Sequence, residues 1–111
     1  MTEGSILLAS LRQSDGSVKI RPVLFLRRMP PFQDLLVCGL SSQLHQAAPS
    51  FDEIIQASDP DFATSGLKVA SVVRLGFLAV LPQSQFKGRI GSISVARHAS
   101  LLTKLSEYLR P

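Results

Sequence analysis

Two stretches of the chain set groups that can act on an anion at the ends of apolar runs. In the first, Lys19-Ile20-Arg21-Pro22 leads into Val23-Leu24-Phe25-Leu26; in the second, Leu35-Leu36-Val37-Cys38-Gly39-Leu40 ends on Ser41-Ser42-Gln43. Each run has the length and composition of a buried strand, so a guanidinium and a pair of hydroxyls would stand at strand ends. Pro22 sharpens the reading of Arg21. Its ring removes a backbone donor and pushes the preceding residue toward extended geometry, so Arg21 enters its strand with a restrained backbone. A guanidinium held in this way can aim its planar fork at a phosphate, whereas a solvated arginine at a strand edge only adds charge. For Ser41 the competing reading is structural, because hydroxyls at strand ends often bond nearby backbone and make turns.

Other chemistries find less support. One cysteine and two isolated histidines, His45 and His98, give no ligand pair at metal-binding spacing, and no metal site is expected. Neither a G-x-G-x-x-G nor a Walker pattern occurs, which sets phosphate-loop cofactor enzymes aside, and no G-x-S-x-G elbow supports a serine hydrolase. No cofactor is expected. Cys38 sits in an apolar run and reads as a packed, reduced thiol. His45 lies close in sequence to Ser41 and carries an imidazole, the side chain most used for proton transfer, so it is a candidate acid or base. A lone loop histidine is more often a surface residue.

The elements that must position these groups are mostly strands. Ser5 to Leu11 forms a short apolar run, and Asp15-Gly16 within Arg12 to Ser17 signals a turn, so a hairpin closes at about Val18 and carries basic groups at its mouth. Arg27 to Pro31 reads as punctuation, with Pro30-Pro31 stopping the second strand before Asp34 opens the third. A short strand is expected around Asp52 to Ile55. Gln56 to Gly66, with Asp59-Pro60 and Ser65-Gly66, reads as a mobile surface loop. Val69 to Leu75 and Phe77 to Leu81 make two strands or one bent strand around Gly76, ended by Pro82. Ile90 to Ile93 adds a last extended piece. From there the period changes: Leu101, Leu102, Leu105, Tyr108 and Leu109 recur at helical spacing, with Arg97, Ser100, Lys104 and Glu107 on the polar side and Ser94 as N-cap. Core packing, rather than membrane binding, is expected of this helix.

The 111 residues suit one domain spanning 1–111, long enough to bury roughly 60–70% of the unfolded surface without staples. Hydrophobic residues make up 45% of the chain, which excludes a disordered protein. The formal charge of +4 favours a polyanionic partner only mildly. Its distribution is more informative: Arg12, Lys19, Arg21, Arg27 and Arg28 cluster, while Asp52, Glu53, Asp59 and Asp61 crowd one later segment, so a face of each sign is expected. The N-terminal residues lack a basic n-region and Ile6 to Ala9 is too short for a signal or a span. A cytoplasmic address is therefore expected, with no membrane partner.

Taken together, several motifs carry a resemblance. Gly4-Ser5-Ile6, the loop to Lys19-Ile20-Arg21-Pro22-Val23-Leu24, Leu40-Ser41-Ser42-Gln43, Ser65-Gly66-Leu67 before Ala70-Ser71-Val72-Val73, and Ile90-Gly91-Ser92-Ile93 before the last helix occur in the order seen in the MazF/PemK toxins of type II toxin-antitoxin systems. Each motif is weak alone, but the ordered set is fairly specific and runs over nearly the whole chain. One departure is Ser5, where the family usually has Asp.

The resemblance implies an α+β fold: an SH3-like β-barrel of the CcdB/MazF type, with short helices and a C-terminal amphipathic helix. It also implies a homodimer that cleaves single-stranded RNA without a metal and is neutralised by a cognate antitoxin. By position, Arg21 and Ser41 would be catalytic, with Ser42, Gln43 and Lys19 near the RNA and Arg12 a further basic contact from the loop. RNA supplies its own nucleophile, the 2′-hydroxyl, so the protein need only align it and stabilise charge on the phosphoryl oxygens. Arg21 suits the second task, with proton donation to the leaving oxygen a further role open to it; Ser41 suits a hydrogen bond to phosphate or 2′-hydroxyl. No general base is evident. Two other function classes remain open: a CcdB-like toxin that binds a protein such as gyrase, and an RNA-binding module without activity. No aromatic stacking platform is visible in the sequence, since the six Phe fall mainly in apolar runs.

Overall fold

Apolar runs become strands and the helical period becomes a helix, and the two meet in layers. The computed structural model describes residues 1–111. Its strands are β1 (Ser5–Arg12), β2 (Val18–Met29), β3 (Asp34–Ser41), β4 (Glu53–Ile55), β5 (Ser71–Leu81) and β6 (Phe86–Ser92). They form one antiparallel sheet in the order β4-β5-β3-β2-β1-β6. The sheet has β4 and β6 as its edges, so the expected barrel is not closed by hydrogen bonds. Two helices complete the α+β fold, α1 (Phe62–Ser65) and α2 (Val95–Leu109), with single 3-10 turns at Leu44–Gln46 and Gln83–Gln85.

Both faces of the sheet are apolar, because successive side chains of a strand point to opposite sides. Ile6, Leu24, Leu26, Cys38, Val73 and Leu75 pack with Leu101 and Leu105 of α2, while Leu7, Ala9, Val23, Phe25, Leu35 and Val37 form a second core on the other side. This explains why β1 and β2 read as continuous apolar runs rather than alternating ones. Cys38 is fully buried, and burial, with Asp52 adding to it, pushes its thiol pKa up to about 12. That keeps it protonated and unreactive. Ser5 is also buried; its hydroxyl accepts from Arg89 Nε at 3.1 Å and lies 3.2 Å from the Thr2 hydroxyl.

Local signals hold at the turns and caps. Asp15 Oδ1 accepts from the Ser17 backbone N–H and hydroxyl at 2.9 and 2.6 Å, and Gly16 takes φ +89°, so the β1–β2 turn closes where Asp15-Gly16 predicted it. Ser94 caps α2 by accepting from the Arg97 N–H at 3.1 Å. The region around Gly76 is one bent strand. Cys38 pairs with Leu78 but Gly39 pairs with Arg74, so Leu75, Gly76 and Phe77 face no partner residue on β3. This bulge bends β5.

Three expectations need correction. β2 continues to Met29, beyond the expected stop at Arg27, because a register shift between Phe25 and Arg27 lets Arg27 and Arg28 pair with Leu36 and Leu35. β6 begins at Phe86 rather than Ile90, its polar residues tolerated at a sheet edge. The third concerns Gln56 to Gly66, which lies at the surface as expected but is an anchored connection rather than a mobile loop. It contains α1, and Asp61 and Ser65 within it are buried.

Arg97 explains that anchoring. It belongs to the polar side of the helical pattern, yet its side chain is only 14% exposed. Its guanidinium donates to Asp61 from Nε at 2.8 Å and to Asp59 and Glu53 at 2.9 and 3.2 Å. The expected acidic face is therefore an internal seam: Lys104 also bridges Glu53, and Asp52 accepts from the backbone N–H groups of Ala48 and Leu75. Hydrogen bonds from Arg97 hold the Asp61 carboxyl below its usual pKa despite burial, and the same bonds raise that of Arg97.

Candidate functional site

The cleft arises where two strand pairs separate. Pairing between β2 and β3 runs as far as Val23 opposite Gly39 and then stops. Beyond that point β2 stays with β1, Arg21 facing Ala9, and β3 stays with β5, Ser41 facing Val72. Extending the lost register would set Arg21 opposite Ser41. Pro22, which has no N–H to give, stands at the point of separation. The two pairs thus diverge with the arginine on one lip and the serine on the other.

Between them lies a cavity of about 570 Å³. Arg21 and Pro22 contribute to its wall from β2, Ser41, Ser42 and Gln43 from the end of β3, and Lys68, Ser71 and Arg74 from β5 and the segment leading into it. Three cations and several hydroxyl and amide groups line it, and no carboxylate does. Such a surface suits an anion that carries further hydrogen-bonding groups.

The hydroxyl of Ser41 has a defined direction. Its oxygen accepts the Gln43 N–H at 3.0 Å, the turn-forming bond foreseen as its structural role. Because that bond uses a lone pair and not the proton, the hydroxyl keeps a free O–H with which to donate to a bound oxygen. One residue therefore shapes the turn and still offers a donor.

Lys68 is placed from further away. Gly66 has φ +75°, and a Cβ there would meet the Ile90 carbonyl oxygen at 2.1 Å; a Cβ on Gly91 would meet Ser65 backbone at 2.3 Å. The end of α1 and β6 thus touch backbone to backbone, which only glycine permits. This contact and the Arg97 cluster fix both ends of α1, and the chain then runs through Leu67 and Lys68 into the cleft wall.

Of the residues expected at the site, Arg21, Ser41, Ser42 and Gln43 meet at this cavity, and Lys19, Arg12 and His45 are outside its wall. Lys19 lies exposed two residues before Arg21, toward the hairpin tip. Arg12 donates to the Gly16 carbonyl at 3.0 Å and so braces the hairpin turn. His45 is exposed on the 3-10 turn after β3, while its neighbour Gln46 reaches the cleft. Arg27 and Arg28 are engaged elsewhere, with Glu3 at 3.2 Å and the Met1 carbonyl at 2.8 Å. Sequence reasoning missed Lys68, Arg74 and Phe77. The available signal was Arg74, the only charged residue in the otherwise apolar Ser71–Leu81.

Comparison with known proteins gives a family. A model described as PemK-like, MazF-like toxin of type II toxin-antitoxin system matches residues 2–109. The chain belongs to this family. Its fold is shared with the Mycobacterium tuberculosis toxin MazF-mt6, which superposes with a TM-score of 0.69 at 22% sequence identity, over 95% of each chain. No curated protein matches the sequence. As a PemK/MazF-like toxin the protein is one partner of a toxin-antitoxin pair, and no helix in it is long and apolar enough to cross a membrane.

Proposed function

We propose that this toxin is an endoribonuclease that cleaves single-stranded RNA by attack of the 2′-hydroxyl on the adjacent phosphate. The observation that carries the reading is the cleft itself: cationic, free of carboxylates, with Arg21 and Ser41 on its two lips. In the reaction the 2′-oxygen bonds to phosphorus and the bond from phosphorus to the 5′-oxygen breaks. The products are a 2′,3′-cyclic phosphate and a 5′-hydroxyl, with the 2′-hydroxyl proton lost to water and the departing oxygen protonated by water. Arg21 neutralises the charge that builds on the non-bridging oxygens, and the free O–H of Ser41 donates to one of them. Ser42 and Gln43, next along the same wall, hold the sugar and phosphate in line for attack.

The partners follow from the same charge. A cationic cleft without carboxylates suits an acidic segment of a cognate antitoxin, which would cover the site and order as it binds. The functional unit of this reading is a homodimer acting in the cytoplasm.

Incubating the purified protein with single-stranded RNA in EDTA, and mapping the ends, tests the reaction. Fragments ending in cyclic phosphate are expected, with Arg21→Ala slower by at least about 100-fold, the effect of removing one transition-state donor. Intact RNA with the wild type, or equal cleavage by the variant, would overturn the assignment.

A further inference from the structure

Phe77 is the one aromatic side chain in the cleft wall, and the β5 bulge puts it there. In a regular strand, residues Leu75 to Phe77 would each face a residue of β3. Here they do not, and the Phe77 ring lies over the backbone of Gly39, where a Cβ would stand 3.2 Å from a ring carbon. Gly39 therefore leaves space for the ring, and Phe77 as a residue remains 43% exposed. The Arg74 guanidinium carbon is 6.0 Å from the ring centroid, at the outer limit of cation–π attraction, and also lines the cleft.

An apolar ring held half-exposed among cations and hydroxyls is a poor core residue. It is well suited to a flat, apolar-faced group that arrives attached to an anion. We propose that Phe77 is a stacking platform for one unpaired nucleobase, with Arg74 neutralising the phosphate attached to that nucleotide. The proposal rests on the endoribonuclease reading and adds a base subsite to it. Gly39 and Val23 are the last residues paired before β2 and β3 separate, so the platform lies at the root of the opening and Arg21 and Ser41 lie on its lips. The stacked base then belongs to a nucleotide next to the cleaved bond, held so that the phosphate meets Arg21.

The test uses oligonucleotides that bind without being cut, carrying 2′-O-methyl groups throughout and one abasic residue moved along the chain. Binding is measured for the wild type, Phe77→Leu and Phe77→Tyr. Wild type is expected to lose about tenfold in affinity at one abasic position, within the range for a single base–aromatic stack. Phe77→Leu should lose about tenfold on the intact oligonucleotide and nothing further at that position, and Phe77→Tyr should keep wild-type behaviour. Phe77→Met, similar in volume but without a ring face, replaces the leucine variant if that one is poorly folded. Equal affinity of wild type and Phe77→Leu, or penalties that simply add, would overturn the stacking subsite. If Arg21-dependent cleavage survives that result, the nuclease reading stands alone. If the wild type neither binds these oligonucleotides nor cuts RNA, both fall.

Discussion

Two arginines, Arg21 and Arg97, show how differently this protein uses the same side chain. Arg97 is enclosed by Asp61, Asp59 and Glu53, so its charge is spent inside the molecule. Arg21 makes no ion pair, and the other charged groups around its cavity, Lys68 and Arg74, are cations. A guanidinium balanced by carboxylates fixes structure. One left without them, beside other cations, has an affinity still to be satisfied by something that binds. The first joins α2, β4 and the α1 connection; the second faces an opening between strand pairs. The price of keeping Arg21, Lys68 and Arg74 near one another is mutual repulsion, which an incoming phosphate would relieve.

The contrast can be broken by removing each charge in turn. Arg97→Met should lower the free energy of unfolding by about 3 kcal/mol, because Asp61 loses its partner while remaining buried. Arg21→Met should change it by no more than about 0.5 kcal/mol, as for other exposed positions. Urea denaturation of both variants measures the difference, and equal losses would mean that the two arginines do the same work.

Asp61→Asn sharpens the same comparison through pH. At pH 7 a loss of about 2 kcal/mol is expected, the scale of a hydrogen bond to a charged group. The folded-state pKa of Asp61 is depressed, so its contribution is fully present above the unfolded value of about 3.9 and fades as pH falls through the lower folded value. The gap between wild type and Asp61→Asn should thus hold from pH 7 to about pH 5 and shrink on further acidification. A gap that stays constant down to pH 2.5 would remove Asp61 as an ionised partner.

A smaller loss than at Arg97 or Asp61 is expected at the cap beside Arg97. Ser94→Ala should cost about 1 kcal/mol, since the Arg97 N–H loses its acceptor while the Ser94 N–H still bonds Asp61 at 3.0 Å. Thermal unfolding reads this directly. A loss as large as that of Arg97→Met would show that the cap, and not the ion cluster, anchors the helix.

Much of the scaffold was legible because its signals are local. The Asp15-Gly16 turn, the Ser94 cap and the Leu101 and Leu105 stripe depend on residues within a few positions of one another. Arg97 was misread for the opposite reason. Its helical spacing assigns it to the polar side, and only the arrival of Asp59 and Asp61 from another element makes that side an interior. The same error turned Gln56 to Gly66 into a mobile loop. His45 shows the limit from the other direction: closeness in sequence to Ser41 did not bring it into the cleft wall, whereas Lys68 and Arg74 reach it across the sheet.

By itself the sequence determined the cores of most strands and the C-terminal helix, and that an arginine before a proline and a hydroxyl pair stand at strand ends. Those properties follow from side-chain period and backbone restriction within short windows. Tertiary structure alone decided that β2 and β3 separate after Val23 and Gly39, that a bulge turns Phe77 over a glycine, and which charges are cancelled and which remain available. Register and charge pairing join residues far apart in the chain, and no local pattern encodes the distance between them.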